Sequence, residues 1–399
     1  MKKDIFNSGN LTIKLLRSIG TPFHKPVEVV ESEKLYELAF KNKIPLLYLE
    51  KLKENGKLNK LKDKYKEHLK KYRNFVEVAG EIAKEFKKEN IEYVFFKTFK
   101  PFLGTGSDID LLIFGDVKMY RKAIETLLRI KYRPEMPIVD VKKLNTDEEY
   151  KDAAKILSIP TSTILDNAYI SPGGTDLRDP TYNILIDLQY DISVGYAIYI
   201  DKNNLKGNVI ETELIDGSKI CVLKPEYDLA VEMAHSLTEN MFLLSEFYVF
   251  LFTISKMNEK EISNFLEVIK KNNLITPAKV WITLTSLLCD YTYNFVPEKL
   301  IYLQNKIGTL NNESRSLLKK DLKMPHRYKL STELSFVMGK LRERIFRDTF
   351  IREIFEMIKN PKHTLMVVFD MYDLRTRETY IHDVTVSTKY NSMFFKSKK

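Results

Sequence analysis

Two aspartates, Asp108 and Asp110, stand in the otherwise apolar run DIDLLIF, directly after the small-residue turn Gly104-Thr105-Gly106-Ser107. Buried carboxylates are costly unless paired, hydrogen-bonded or bound to a metal. In a strand, side chains i and i+2 share a face, so both carboxylates would project together, about 7 Å apart at their Cα atoms. Ile109, Leu111 and Ile113 would then enter the opposite layer. Such a pair suits Mg²⁺ (or Mn²⁺), which needs only a few protein oxygens plus substrate phosphates. The turn supplies the complementary half, because small residues let backbone N–H groups approach a phosphate closely. Gly106 and Ser107 are therefore candidate phosphate contacts, and the chemistry indicated is metal-assisted phosphoryl transfer.

A two-metal site of this kind usually takes a third carboxylate from a neighbouring strand. The run TYNILIDLQYDISV (181–194) offers Asp187 in its apolar middle and Asp191 further along the same face. Read as a single strand, it places Ile184, Ile186, Leu188 and Ile192 on one side and Asn183, Asp187, Gln189 and Asp191 on the other. Asp187 is the first choice and Asp191 the alternative.

The elements that must hold these residues follow from periodicity. Residues 32–52 have apolar residues at helical spacing interrupted at Pro45, and residues 58–90 form one long amphipathic pattern. At Ile91 the period changes to that of a strand, IEYVFFKTF (91–99), followed by the aspartate strand (108–114) and a helical run over 117–132. Five prolines and the turn SPGGTD make 134–182 irregular, and beyond CVLKPEYDLAVEMAHSL the chain is mostly helical to about residue 360. The expected fold class is α+β: a mixed-sheet core with a helical amino-terminal segment and a largely helical carboxy-terminal region. The expected divisions are 1–90, 91–225 and 226–399, the last a candidate substrate-binding region.

Composition narrows the class. With 44% hydrophobic and 30% charged residues over 399 positions, the chain is globular and long enough for more than one core. Its two cysteines, Cys221 and Cys289, lack CxxC spacing, which argues against a disulfide scaffold or structural zinc site and suits a cytoplasmic location. MKKDIFNSGNLTIKLLRSIG lacks the apolar core of a signal peptide. MFLLSEFYVFLFTIS (241–255) contains Glu246 and is shorter than the roughly 20 residues of a membrane span, so it reads as a buried helix and no membrane partner is expected. The formal charge of +10 favours an anionic partner, nucleic acid first, although Lys-rich surfaces also serve solubility.

Strand, Gly/Ser turn, SDIDLLI, helix and a distant apolar-Asp-apolar strand resemble the polymerase-β-type nucleotidyltransferase superfamily. More narrowly, the chain is similar to a nucleotidyltransferase family with the pattern LLKG…DIDLLV…VDLH, over roughly residues 34–256. LYELAFKNKIPLLYLEKL resembles that family's amino-terminal helical stretch, and LKPEYDLAVEMAHSL the helix after its third carboxylate. The resemblance implies that Asp108, Asp110 and Asp187 are the catalytic, metal-binding carboxylates. It implies that Lys97 lies near the nucleotide phosphates, with Thr98 where the family has Gly and Gln189 where it has His. The Arg usual shortly before the aspartate pair is missing. The implied activity is transfer of a nucleoside monophosphate from an NTP to an acceptor hydroxyl. RNA, including tRNA, is the preferred acceptor, and a protein or small molecule such as an aminoglycoside is the alternative. The competing class is a noncatalytic nucleotide- or RNA-binding member.

Away from this constellation, His235 on an apolar helix and Trp281 read as packing residues. Lys340, Arg344, Arg347 and Arg352 fall at separations that can share a helix side, interrupted by Glu343, Asp348 and Glu353. They are a candidate RNA face or a solvated one. The sequence leaves the oligomeric state open.

Overall fold

A computed structural model describes residues 10–104, 106, 108–134, 164–165, 168–169, 175–194 and 197–359. Four helices open it: α1 (Leu11–Ile19), α2 (Glu33–Lys41), α3 (Pro45–Glu54) and α4 (Lys62–Lys88). The break between α2 and α3 falls where Pro45 takes the first helical turn of α3, the position at which its missing N–H costs nothing. Then come β1 (Tyr93–Phe95), β2 (Asp108–Ile113), α5 (Val117–Ile130) and β3 (Arg133–Pro134). Asp116 caps α5, its carboxylate accepting from the backbone N–H groups of Lys118 and Met119.

Short strands follow: β4 (Ile164–Leu165), β5 (Ala168–Tyr169), β6 (Thr175–Arg178), β7 (Leu185–Gln189), β8 (Ile192–Val194), β9 (Ala197–Ile200), β10 (Val209–Glu213) and β11 (Lys219–Leu223). Helices dominate thereafter, beginning with α6 (Pro225–Thr238), the two-residue strand β12 (Met241–Phe242), α7 (Leu244–Lys256), α8 (Glu259–Lys271) and α9 (Ile275–Tyr293). The described chain ends with α10 (Glu298–Ile307), α11 (Asn311–Lys319), β13 (His326–Arg327), α12 (Leu330–Lys340) and α13 (Arg344–Lys359). This is the expected α+β class.

One mixed sheet, ordered β10-β11-β1-β2-β7-β6-β3, organises the middle of the chain. β2 is its pivot, antiparallel to β1 and parallel to β7. Strand alternation sorts the side chains. Tyr93, Phe95, Ile109, Leu111, Ile113, Ile186 and Leu188 pack with Phe75, Val78, Ile82 and Phe86 of α4 and Tyr120, Ala123 and Leu127 of α5. Val94, Phe96, Leu112 and Phe114, on the opposite face, join a second core with α6 and α7. Gly80 lets α4 press onto the β10–β11 hairpin, since a Cβ there would stand 2.5 Å from Ser218 Oγ.

That second core also contains Leu15 and Leu16 of α1, Leu35 of α2, Leu47, Tyr48 and Leu49 of α3, and Trp281 of α9. The amino-terminal helices thus share an apolar interior with the carboxy-terminal ones, around the sheet. The apolar run at 241–255 is the short β12 followed by the buried α7. Its Glu246 is accounted for by the helix start, accepting the Leu243 N–H at 2.7 Å. Among the described residues, no helix is long and apolar enough to cross a membrane.

Candidate active site

Parallel pairing of β2 and β7 sets Asp110 directly beside Asp187 and Asp108 beside Leu185. Neighbouring strands lie about 4.8 Å apart, and the three aspartates occupy the sheet face opposite the α4/α5 layer. On the outer side of β7, Asp176 is the backbone partner of Asp187. The sequence's first choice of third carboxylate therefore sits next to the pair. Asp191 does not, because the run expected as one strand ends at Gln189 and restarts as β8, which carries Ile192 into the second core instead of the first. Asp191 lies 3.9 Å from Lys202 Nζ, with its carboxyl pushed up to about 6 by burial.

Lys97 is the cation of this site. Its ammonium lies 3.1 Å from Asp110 Oδ1, and both residues are buried, at 7% and 5% exposure. The turn after β1 holds Lys97 in a left-handed conformation, φ 56°, which costs a residue with a side chain about 1–3 kcal/mol. The backbone helps to offset that cost, since the Lys97 N–H donates to Asp228 Oδ1 of α6 at 2.8 Å. Burial alone would lower the lysine pKa, but Asp110, with Tyr199, Asp108 and Asp187 beyond it, outweighs burial and raises it. Asp110 is raised to about 7 by its own burial, against the pull of Lys97, with Asp108 and Asp187 adding like-charge repulsion.

Thr98 braces this arrangement from within the backbone. Its hydroxyl accepts from the Asp110 N–H at 2.9 Å and lies within donating distance of the Asp110 and Phe96 carbonyls, at 3.1 and 3.0 Å. With 1% exposure it is a strut between the β1 turn and β2. Gly106 lies where a side chain would press on the strand, a Cβ coming within 3.0 Å of the Asp108 carbonyl oxygen. Ser107 lies outside the described residues.

Gln189 projects from the same face as Asp187 and donates from Nε2 to Asp187 Oδ2 at 2.6 Å. Its own Oε1 is a buried oxygen with no hydrogen-bond partner. Among the described residues, no three His, Cys, Asp or Glu side chains are drawn together tightly enough to hold a metal ion as they stand. The donor chemistry nevertheless fits Mg²⁺ or Mn²⁺: carboxylate oxygens on adjacent strands, and a buried amide oxygen lacking a partner.

Helix α6 lays a polar stripe beside this sheet face that the sequence reading passes over. Asp228, Glu232, His235 and Glu239, the last just beyond the helix, repeat at helical spacing in PEYDLAVEMAHSLTE. Glu232 pairs with Lys100. Asp228 is raised to about 7, by burial and then by Glu232. His235 is no bare packing residue: its Nδ1 lies 3.3 Å from the Tyr199 hydroxyl and its Nε2 2.9 Å from Glu239 Oε1. Trp281 is core as expected, donating to Ser236 Oγ at 2.7 Å.

The proposed cationic stripe does not hold together. Lys340 ends α12, fully buried, and donates to the Asn272 carbonyl at 2.9 Å while facing Glu343 at 2.5 Å. Arg344 and Arg347 are on α13, both near Asp348, with the Arg344 side chain 88% exposed. Family models and curated proteins provide no parallel for this site: the chain matches none of those with which it was compared.

Proposed function

We propose that the protein transfers a nucleoside monophosphate from an NTP to an acceptor hydroxyl, as a member of the polymerase-β-type nucleotidyltransferase superfamily. The observation that carries this reading is the Asp110–Asp187 register across β2 and β7, with Asp108 on the same face and Lys97 against Asp110. Asp108, Asp110 and Asp187 would hold Mg²⁺ (or Mn²⁺), which when bound supplies charge neutralisation at the phosphates and activation of the attacking oxygen. Lys97 is placed to exchange Asp110 for a phosphate oxygen, which would turn an internal ion pair into substrate binding. Gly106 lies close to β2, and its backbone N–H is of the kind that holds phosphate. The acceptor oxygen then attacks the α-phosphorus in line and pyrophosphate leaves.

A second reading, nucleotide binding without turnover, is favoured by one fact: two of the three carboxylates are already engaged by protein donors, Lys97 and Gln189. Incubation with each α-labelled NTP, Mg²⁺ or Mn²⁺ and total RNA, followed by separation of RNA, protein and small molecules, distinguishes the two. Label in RNA is expected. Nucleotide retained without label in any fraction would establish the binding module.

A further inference from the structure

The aspartate face of the sheet continues past β7. Leu177 of β6 is the backbone partner of Ile186, and both enter the α4/α5 core. Strand alternation therefore gives Arg178 the opposite face, the one that carries Asp108, Asp110 and Asp187. Leu185 is paired with Asp108 on one side and with Arg178 on the other. A single row thus crosses the sheet from Asp108 through Leu185 to Arg178, and at strand spacings of about 4.8 Å its end Cα atoms are about 10 Å apart. The row goes on to Arg133 of β3, the backbone partner of Arg178.

The Arg178 guanidinium is held at one end of this row. Its Nη1 donates to Asn183 Oδ1 at 2.9 Å and to the Asn183 carbonyl at 3.3 Å. Asn183 adopts the left-handed conformation, φ 59°, which asparagine tolerates better than most residues. It stands two residues before Leu185, as Gly106 stands two residues before Asp108. Asp108 and Leu185 are the paired first residues of parallel strands. The guanidinium and Gly106 therefore lie at the same edge of the sheet, past Asp108 and away from the buried Asp110. Arg178 is partly exposed, so a ligand can reach it from solvent. Two arginines directly opposite across an antiparallel pair repel each other, a cost that an anion bound between them removes.

Resting on the nucleotidyl-transfer reading, we propose that Arg178, with Arg133 next to it, binds the outer phosphates of the NTP at the Gly106 end of the aspartate row. The reacting α-phosphorus belongs beside Asp110 and Asp187, where the carboxylates of β2 and β7 are in register. The outer phosphates then extend past Asp108 toward Gly106 and the guanidinium. A guanidinium is a planar fork that meets two phosphate oxygens at once, and it stays charged at any working pH. The hydrogen bonds to Asn183 orient that fork. Lys97, buried against Asp110, serves the inner end of the same chain of phosphates.

The test uses the full chain with Mg²⁺ and reads binding as well as turnover: calorimetric Kd values for inorganic tripolyphosphate, each NTP, each NMP and total RNA, and KM from label transfer. Arg178→Gln should weaken tripolyphosphate and NTP binding by about 10- to 10²-fold and raise KM for NTP in step. Its affinities for NMP and RNA should stay at the wild-type values. Arg178→Lys keeps the charge without the fork and should recover only part of the loss, and Arg133→Gln should show a smaller loss with the same selectivity. Asn183→Gly removes the orienting side chain in a conformation that glycine accepts. It should raise KM for NTP with Arg178 still present, and it carries the test if Arg178→Gln fails to fold. A folded Arg178→Gln protein that binds tripolyphosphate and NTP like the wild type would overturn the phosphate site and leave nucleotidyl transfer standing, as would a loss confined to RNA. Arg178-dependent binding of NTP and tripolyphosphate without any label transfer by the wild type would uphold the phosphate site and overturn transfer. A wild type that binds neither would overturn both.

Discussion

Asp187 and Asp110 should respond differently to loss of charge, although both belong to one site. Asp187→Asn keeps the shape and a partner for Gln189, so label transfer should fall below detection while the Tm moves by no more than about 2 °C, within what a 1 kcal/mol change produces. Asp110→Asn should also abolish transfer, but it deprives the buried Lys97 of its carboxylate at 3.1 Å. A further loss of about 1.5–3 kcal/mol is expected, the worth of a hydrogen bond to a charged group, readable by urea unfolding. A pH effect belongs at this scale too. Asp228 and Asp191 have carboxyls raised to about 7 and about 6, from ordinary values near 3.8, mainly by burial. Groups raised on folding contribute stability below their unfolded pKa and lose it as pH climbs through the folded one. The Tm should therefore fall between about pH 4 and 7, and Asp228→Asn should flatten that slope in a melting series.

At the scale of elements, the brace between the β1 turn and β2 is a single hydroxyl. Thr98→Val keeps the shape and leaves the Asp110 N–H, buried within the site, without its acceptor at 2.9 Å. A cost of about 1–3 kcal/mol is expected, again by urea unfolding, with a drop in label transfer because the strand that positions Asp110 loosens. Elements of this size are also where the sequence was most and least legible. Long periodic helices such as α4, and the alternation of β2 and β7, announce themselves because one face of each is apolar, while β1 is marked by being apolar on both. The β10–β11 hairpin carried a readable Asp216-Gly217 turn signal, passed over because its strands are half-exposed and their alternation is weak. Tyr199, by contrast, meets His235 only through the packing of β9, and nothing local marks it. Asp228, Glu232, His235 and Glu239 were detectable as a helical stripe of polar groups. Their facing the aspartates depended on which side of α6 met the sheet.

For the whole molecule, the question is what the charge of +10 serves. If RNA is the acceptor, phosphate contacts release counterions, and log affinity should fall with log salt by about 0.7 per single-strand contact. Several contacts give a slope of about −2 or steeper. Reversal of the exposed Arg344 and Arg347 to Glu should flatten it, as measured by filter binding across a salt series. Lys340 does not belong in that experiment. Buried against the Asn272 carbonyl and Glu343, it reports on packing, and its loss would weaken the fold without informing on RNA.

The interior shared by α1–α3 with α6, α7 and α9 has a consequence for biosynthesis. The chain leaves the ribosome amino terminus first, at about 5–20 residues per second. Helix α3, which ends at Glu54, packs on its neighbours α1, α2 and α4, but the part of the interior it shares with α6 is missing until Pro225 and beyond. The first helices can pack on one another, but they must wait for roughly 10–30 s of synthesis with the remaining part of their apolar faces unpartnered. Holdase chaperones would find their binding surface on the nascent amino-terminal helices, and release from them would be timed by the emergence of α6, the helix that also completes the candidate site.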